Sequence, residues 1–298
     1  MQQTRMGRVE WVLLIALSIL WGGAFFLTKL ALVELPPLTL VFFRLALASA
    51  ILFLFFLSSR RSVTGLLPFW PQFFGLGLLS NVIPFSLLGW GQIHISSGLA
   101  SILTTFNPVF TVILAHYLTR DEKFSVQKVA GIGFGVAGVI TMIGAETLNG
   151  FDNAVAAMLA CLGAAFSYAL AGIYAKRFRN LGIAPAGVAL GQIAAAAVFM
   201  LPWVLLFDHP WTLALPSASV VWSMLGLALF STALAYVIFF RVLEVGGATN
   251  SSLVALLIPA TAILLGGVFL GERLDSNDWI GLGLIAAGLI VINARETK

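Results

Sequence analysis

Ten apolar runs, each about 17–23 residues long, take up most of this sequence. A helix of about 20 residues crosses a hydrocarbon core of ~30 Å, and inside a bilayer it satisfies its own backbone hydrogen bonds. The chain is 60% hydrophobic and 9% charged, which is more apolar surface than a water-soluble core could hide. We therefore predict an all-α integral membrane protein with ten transmembrane helices. The runs are approximately 11–33, 38–57, 70–90, 98–118, 126–144, 154–175, 185–207, 218–240, 248–270 and 277–293.

The basic residues are distributed unevenly between the connections. If the N-terminus lies inside and the spans alternate, thirteen of the sixteen lysines and arginines fall inside, and only Lys29, Arg44 and Arg273 fall outside. Cytoplasmic connections of membrane proteins carry such an excess. We therefore predict that both the N- and C-termini are cytoplasmic.

Part of the first half recurs in the second. Each half holds five spans, an odd number, so the second copy must enter the membrane inverted relative to the first. Inverted repeats around a midplane substrate site are a transporter architecture. We predict two such repeats, residues 1–148 and 149–298. The pairs that superpose at shifts of 147–150 positions are Trp21 with Tyr168, Arg44 with Gln192, Glu122 with Glu272, Gly131 with Gly281, Gly133 with Gly283 and Gly138 with Gly288.

Five stretches carry a resemblance to a known family: Leu20-Trp21-Gly22 with Lys29, Phe43-Arg44-Leu45-Ala46, Asn107-Pro108-Val109-Phe110, Pro259, and Leu270-Gly271-Glu272-Arg273-Leu274. With them the chain resembles the EamA-type branch of the drug/metabolite transporter superfamily over roughly residues 11–293. Within that branch it most resembles bacterial aromatic amino acid exporters of the YddG type. The first-half turn departs from the family's Gly-Glu-Arg and reads Arg120-Asp121-Glu122.

The resemblance implies a multi-pass bundle in the bacterial inner (plasma) membrane that exports small metabolites. It further implies that the fifth and tenth helices are peripheral, and that the third, fourth, eighth and ninth line the path.

Acidic residues are absent from the middle of every predicted span. All twelve lie in connections, tails or end turns, and His94 and His116 fall near span ends. Proton-coupled carriers usually keep such groups at depth. We therefore hypothesise that transport needs no obligatory proton exchange. We also expect a central uncharged cavity that takes zwitterionic or neutral solutes, above all amino acids including aromatic ones. A sugar phosphate would instead need fixed Lys or Arg at depth.

Polar and aromatic side chains at mid-span are the candidates for substrate binding. Hydroxyls in membrane helices often bond only to a neighbouring helix, which contributes ~0.6 kcal/mol on average, so a structural role stays open beside a functional one. Burying an amide or a large polar aromatic group costs more and points more strongly to function. The candidates are Trp21, Asn81, Phe85, Thr105, Tyr168, Tyr236 and Asn250.

Five further residues are candidates for gating. Pro84 loosens the third span, and Pro108 and Pro259 interrupt the fourth and ninth, which suggests hinges, although proline is also tolerated in membrane helices. Arg44, two turns inside the second span, and Glu272, at the outer end of the ninth, are candidates for an ion pair that latches the outer side. The alternative is that Arg44 extends to the lipid headgroups.

Gly133-Phe134-Gly135-Val136-Ala137-Gly138 matches the dinucleotide-binding fingerprint. It lies in an apolar helix without a preceding strand, so the mechanism behind that fingerprint is missing. Close helix packing through Gly131 and Gly135 is the preferred interpretation.

Other function classes lack their signatures in this sequence. We find no His-Glu-x-x-His, no Gly-x-Ser-x-Gly and no paired intramembrane aspartates, so we predict that the protein is not an enzyme. The single cysteine, Cys161, lies in an apolar run, and we predict no cofactor and no metal site. We expect a small-molecule substrate and the lipid bilayer as partners, no nucleic acid, and, as a working hypothesis, a monomer. Two alternatives stay open: a transporter of other neutral or cationic small molecules such as drugs, and a passive channel-like facilitator.

Overall fold

The structure is a computed structural model that describes residues 8–58, 64–118, 125–144, 153–242 and 254–293. All regular elements in these ranges are helical, and none of the described residues lies in a strand. The α-helices are α1 (Arg8–Ala31), α2 (Pro37–Ser58), α3 (Trp70–Gly77), α4 (Ile83–His94), α5 (Ser97–Thr104), α6 (Asn107–Leu118), α7 (Val126–Ile143), α8 (Asn153–Ala175), α9 (Pro185–Trp203), α10 (Ala218–Ala228), α11 (residues 235–242), α12 (Val254–Leu270) and α13 (Ser276–Asn293). Wider π-helical turns occupy Leu78–Val82, Val204–Asp208 and Leu229–Leu234, and 3-10 turns occupy Thr64–Phe69, Lys176–Asn180 and Pro210–Thr212.

Eight segments of the described chain are long and apolar enough to cross a membrane. Two further apolar helices, Leu257–Leu270 and Ser276–Ile292, are shorter. Each of the ten predicted runs thus corresponds to a helical segment, while ten crossings stay a prediction. The eight segments are Trp11–Ala31, Pro37–Ser58, Thr64–His94, Ser97–Leu118, Val126–Ile143, Asn153–Phe178, Pro185–Asp208 and Ala218–Val242.

Large apolar side chains cover the outside of the bundle. Trp222 is 71% exposed, Val268 69% and Leu206 68%. Monomeric soluble proteins rarely expose contiguous apolar surface on this scale. These side chains are therefore positioned to face lipid.

Helix contacts made by one half have counterparts in the other. The first-half helix α1 packs on α12 and α10 of the second half, and its counterpart α8 packs on α6 and α4 of the first half. The helices α2 and α9 pack on each other, as do α7 and α13 at the edge of the bundle. This pattern is the one expected of two related repeats. The predicted boundary at 148–149 lies outside the described residues.

Glycines hold α7 against α13. A methyl group added at Gly131 would lie 2.6 Å from the carbonyl oxygen of Gly288, and one at Gly138 would lie 2.7 Å from that of Gly281. Because residue numbers rise along one helix as they fall along the other, the two helices are antiparallel. Gly131 thus faces Gly288, the repeat counterpart of Gly138, and Gly138 faces Gly281, the repeat counterpart of Gly131. A reciprocal contact of this kind is expected across a two-fold axis. A methyl group at Gly288 would also meet the backbone of Gly135, so the packing interpretation of this glycine run is confirmed.

Hydrogen bonds join several connections at one end of the bundle. They link the connections that follow the first, third, seventh and ninth spans, all of which the sequence places on the outer side. The gathering of these connections agrees with a chain that alternates through the bundle. The bonds run from Lys29 Nζ to the Ile95 carbonyl (2.9 Å), from the Ser97 N–H to Glu272 (2.9 Å), from the Ser217 N–H to Glu34 (2.7 Å) and from the Thr39 N–H to Asp208 (2.7 Å).

We expect Gly138→Ala to lower the thermal unfolding midpoint of the detergent-solubilised protein. The added methyl group meets backbone atoms of α13, and overpacking of this kind costs about 1–3 kcal/mol. Gly133→Ala is the matched control, because nothing lies within 4 Å of its methyl group. Alanine also favours a helix over glycine by about 1 kcal/mol, so the control should not lose stability. Equal midpoints for the two variants would contradict the glycine packing.

The predicted orientation is testable by cysteine labelling. Leu215 lies in the connection before α10 and Ser58 ends α2, and both are exposed. A membrane-impermeant maleimide added to intact cells should label Leu215→Cys, and it should label Ser58→Cys only after permeabilisation. The native Cys161 is buried, so it contributes little background. The reverse pattern would place the termini outside.

Candidate functional site

A cluster of polar and aromatic side chains lies where helices of both halves meet. It is built around two of the π turns, Leu78–Val82 and Leu229–Leu234, each of which interrupts a long span. Five of the seven predicted substrate-binding residues belong to it. This central cluster comprises Trp21 of α1, Arg44 of α2, Ser80 and Asn81 of the first π turn, Phe85 of α4, Tyr168 of α8, Gln192 of α9, Thr232 of the second π turn and Tyr236 of α11.

Three hydrogen bonds connect polar groups of the cluster across three spans. The Tyr236 hydroxyl donates to Asn81 Oδ1 over 2.9 Å, and Asn81 Nδ2 donates to Ser80 Oγ over 2.8 Å. Ser80 Oγ in turn donates to Gln192 Oε1 over 3.1 Å. Asn81 is 0% exposed, and because a buried amide is costly without partners, these bonds fix its orientation. Gln192 Nε2 has no partner among the described residues, which leaves a buried free donor in the cluster.

Pro84 frees an acceptor in this network. A proline lacks the N–H that would donate to the carbonyl four residues earlier, which here belongs to Ser80. The Tyr236 hydroxyl lies 3.3 Å from that carbonyl oxygen and partly replaces the missing donor. The proline and the tyrosine therefore act together at the first π turn, while a hinge role for Pro84 stays a prediction.

Arg44 is the charged group of the central cluster. Its side chain is buried, Nε donates to Thr232 Oγ1 over 2.8 Å, and the guanidinium carbon lies 3.9 Å from the centre of the Phe85 ring. Among the described residues no carboxylate pairs with it. An arginine at the centre of a membrane helix costs about 3 kcal/mol on insertion scales, so a group that compensates this charge is expected.

The position of Arg44 corrects two expectations from the sequence. The centre is not uncharged, because the guanidinium lies within the cluster. Nor does the structure form the predicted pair with Glu272, whose carboxylate binds Ser97 instead. The Cα atom of Arg44 lies only two turns into α2, but its side chain is long enough to place the guanidinium further inward, beside Thr232.

Aromatic rings form an apolar wall beside the polar groups. The rings of Trp21 and Tyr236 meet edge to face at 6.2 Å, and Trp21 lies 5.3 Å from Phe239. The rings of Tyr236 and Phe240 are 6.2 Å apart. Such rings offer both faces and edges to an apolar or aromatic group.

Polar contacts of the cluster repeat in the two halves. Arg44 on α2 meets Thr232 in the second π turn, and Gln192, its counterpart on α9, meets Ser80 in the first. The cluster therefore spans corresponding positions of both halves, with a cation in one and an amide in the other. A further pair of corresponding bonds runs from Ser231 Oγ to the Leu20 carbonyl (2.8 Å) and from Ser167 Oγ to the Leu79 carbonyl (2.7 Å).

Several predicted site residues lie elsewhere. Thr105 Oγ1 donates to the carbonyl of Ile102 in its own span over 2.6 Å, and Asn250 lies outside the described residues. Pro108 follows a break between α5 and α6, as an interrupted span requires. The helix α12, by contrast, continues through Pro259, so the interruption expected there is absent.

A second polar site ties together one end of the bundle. Lys29 Nζ donates to the carbonyl oxygens of Gln92 and Ile95 at the end of α4. The Glu272 carboxylate accepts from the N–H (2.9 Å) and the hydroxyl (2.6 Å) of Ser97 at the start of α5. A cation at a helix C-terminus and an anion at a helix N-terminus each complement the helix dipole. We call these five residues the outer clasp.

The site residues predicted from the sequence do not include Lys29, Ser97, Ser80 or Gln192. Lys29 is a lone charge at the end of an apolar run, and the unpaired backbone groups at the ends of other helices need a counter-charge. These two features together could have identified it. The repeat pairs Gln192 with Arg44, but of these two only Arg44 is among the predicted site residues. Nothing in the sequence distinguishes Ser97 or Ser80 from other serines.

Metal binding finds no support in the part of the chain that the structure describes. No three His, Cys, Asp or Glu side chains in those ranges come together in a group that could hold an ion. The side chains of the central cluster offer hydroxyls, amides, rings and a guanidinium.

Comparisons with known proteins agree with this architecture. The chain matches the EamA-like transporter family twice, over residues 9–144 and 155–294. It is 28% identical over 294 residues to a probable amino-acid metabolite efflux pump of Escherichia coli, covering 96% of this chain and 95% of that protein. It is 26% identical over 280 residues to the inner membrane transporter YedA of Escherichia coli, covering 94% and 89%.

Two further likenesses extend over nearly the whole chain. The transporter YoaV of Bacillus subtilis is 27% identical over 283 residues, covering 93% of this chain and 94% of that protein. A solved crystal structure shares the fold with a TM-score of 0.68 at 20% identity, covering 97% of both chains. With the family matched in both halves, the chain belongs to the EamA-like transporter family and is a membrane transporter.

Proposed function

We propose that this transporter exports amino acids, including aromatic ones, and related small zwitterionic or neutral metabolites by alternating access. The observation that carries the proposal is the central cluster, which joins side chains from both halves at mid-span. A site between two inverted repeats becomes open to either side when one repeat rocks against the other. The relative described as a probable amino-acid metabolite efflux pump supports the substrate class. The relative described as an inner membrane transporter supports a place in the bacterial inner (plasma) membrane.

The cluster offers what an aromatic amino acid needs. The rings of Trp21, Tyr168 and Tyr236 provide surfaces for its side chain, beside the Phe85 ring that carries Arg44. The amide of Asn81 supplies a positioned polar group. Thr105, at the break of the fourth span, and Asn250 stay in the proposal as contributors along the path.

The repeats of the proposal are residues 1–148 and 149–298, inverted relative to each other. The antiparallel pair α7 and α13 supports this arrangement, because these helices are repeat counterparts that run in opposite directions. The family match in each half supports it as well.

Opening toward the outer side requires the outer clasp to separate. The clasp ties α1, the α4–α5 connection and the end of α12 through Lys29 and Glu272. The π turn before Pro84 and the break before Pro108 lie in two of the spans that must move, so we assign hinge roles to these two prolines. Described acidic side chains such as Glu34 and Asp208 lie at span ends, which supports transport driven by a substrate gradient.

We expect Trp21→Ala to reduce efflux of a labelled aromatic amino acid from proteoliposomes by about tenfold, because it removes one ring of the site. The matched control is Trp222→Ala, since Trp222 is 71% exposed on the outside of the bundle and should leave efflux unchanged. Efflux is measured without a pH gradient and should saturate and show counterflow.

The same assay separates the alternatives. Linear, unsaturated flux would indicate a channel-like facilitator. Transport of neutral or cationic drugs but of no amino acid in the panel would contradict the proposed substrate class. Strict dependence on a pH gradient would contradict gradient-driven exchange.

We expect Glu272→Gln to open the outer side more often, because it removes the charge that strengthens the bonds to Ser97. The readout is maleimide labelling of a cysteine at Ser101, which is 0% exposed in α5 behind the clasp, in protein held in nanodiscs. The rate should rise roughly tenfold, as loss of a charged hydrogen bond predicts. Asp275→Asn, an exposed charge removal in the same connection, is the matched control. Equal labelling rates in the two variants would contradict a gating role for the clasp.

A further inference from the structure

We propose that Arg44 binds the carboxylate of the transported solute, and that the site selects its substrates by this group rather than by their ammonium. The inference deepens the proposed function and rests on it. It names the chemical group by which the amino acid substrates are recognised and the side chain that recognises it.

The hydrogen bonds of Arg44 leave most of its donors unused. Nε is occupied by Thr232 Oγ1, and Phe85 covers one face of the guanidinium. Among the described residues the two terminal Nη groups make no hydrogen bond, although the side chain is only 8% exposed. A guanidinium with this edge free matches a carboxylate, which accepts two parallel N–H bonds from it.

Neighbouring groups add donors and no negative charge. Tyr168 and Tyr236 both lie near enough to Arg44 to interact with it electrostatically. The Tyr168 hydroxyl makes no hydrogen bond with any described residue, and Gln192 Nε2 is likewise unpaired. No Asp or Glu of the described ranges lies in the central cluster. A site rich in free donors, with one cation and no anion, is completed by an anionic ligand.

Because the described part of the site holds one cation and no carboxylate, the ammonium of an amino acid contributes less to binding than its carboxylate. It meets only uncharged acceptors, such as Asn81 Oδ1, and ring faces such as that of Trp21. A solute that keeps the carboxylate and lacks the ammonium should therefore still bind. A solute that keeps the ammonium and lacks the carboxylate places a second cation beside Arg44 and should be rejected.

Three compounds with one ring system separate these groups: phenylalanine, phenylpyruvate and phenethylamine. A ligand that binds the folded protein raises its unfolding midpoint, so thermal unfolding of the detergent-solubilised protein reports binding without requiring transport. We expect phenylalanine and phenylpyruvate to stabilise the wild-type protein, and phenethylamine at equal concentration to leave the midpoint unchanged.

Arg44→Gln should raise the half-stabilising concentration of both carboxylates by at least about tenfold, because it removes one partner of a buried charged pair. Arg177→Gln, the same change at an exposed arginine, should leave it as in the wild type. Arg44→Glu should invert the selection and let phenethylamine stabilise the protein, a gain that a misfolded variant cannot show.

Stabilisation of the wild type by phenethylamine as strong as that by phenylalanine would overturn the inference, even if no Arg44 variant folds. So would unchanged carboxylate binding in Arg44→Gln, or stabilisation by none of the three compounds. Efflux in proteoliposomes tests the proposed function separately from binding. If the carboxylates bind through Arg44 but no amino acid is carried, the proposed function fails and the anchoring role of Arg44 stands.

Discussion

A bilayer offers no hydrogen-bond partners, so a polar group buried within this bundle is costly unless another polar group matches it. The fold can be understood from the way these needs are met. Pro84 withholds a backbone donor, and the Tyr236 hydroxyl from the other half, which donates mainly to Asn81, replaces it in part. The end of α4 and the start of α5 leave unpaired carbonyls and N–H groups, and Lys29 and Glu272 bind them. Through Tyr236 and Glu272, which belong to the second half, local defects of first-half helices become contacts that join the two halves.

The two halves share a frame but differ in the polar groups that they place within it. Glycines at corresponding positions pack α7 against α13, and the two π turns each present a hydroxyl to the second helix of the other half. The residue that meets this hydroxyl is Arg44 in one case and Gln192 in the other. Because one is a cation and the other an amide, the centre has a charged side and a neutral side. A symmetric scaffold can therefore hold a solute in one orientation.

The parts of this structure that rest on periodicity and length could be predicted from the sequence. The apolar runs became helices, and the glycines of α7 and α13 form the close contact that their spacing suggested. Side-chain reach and helix irregularity could not be predicted. Residues 78–82 and 229–234 carry no motif for a π turn, yet these turns place Ser80 and Thr232. The distance of Arg44 from the helix end predicts a charge near the membrane surface, whereas its long side chain carries the charge inward to Thr232.

No carboxylate of the described residues pairs with the buried Arg44, and this has a consequence for the proposed transport cycle. In the empty transporter the charge of Arg44 is held by a hydroxyl and a ring face, which compensate it only in part. A bound carboxylate completes the compensation, so the loaded site tolerates exclusion of water better than the empty one. In the proposed alternating-access cycle, rocking of the two halves would bury the site on both sides for a moment, and that step would favour the loaded state. Under that proposal, selectivity and the coupling between binding and movement both follow from the charge of Arg44, which no carboxylate of the described residues neutralises.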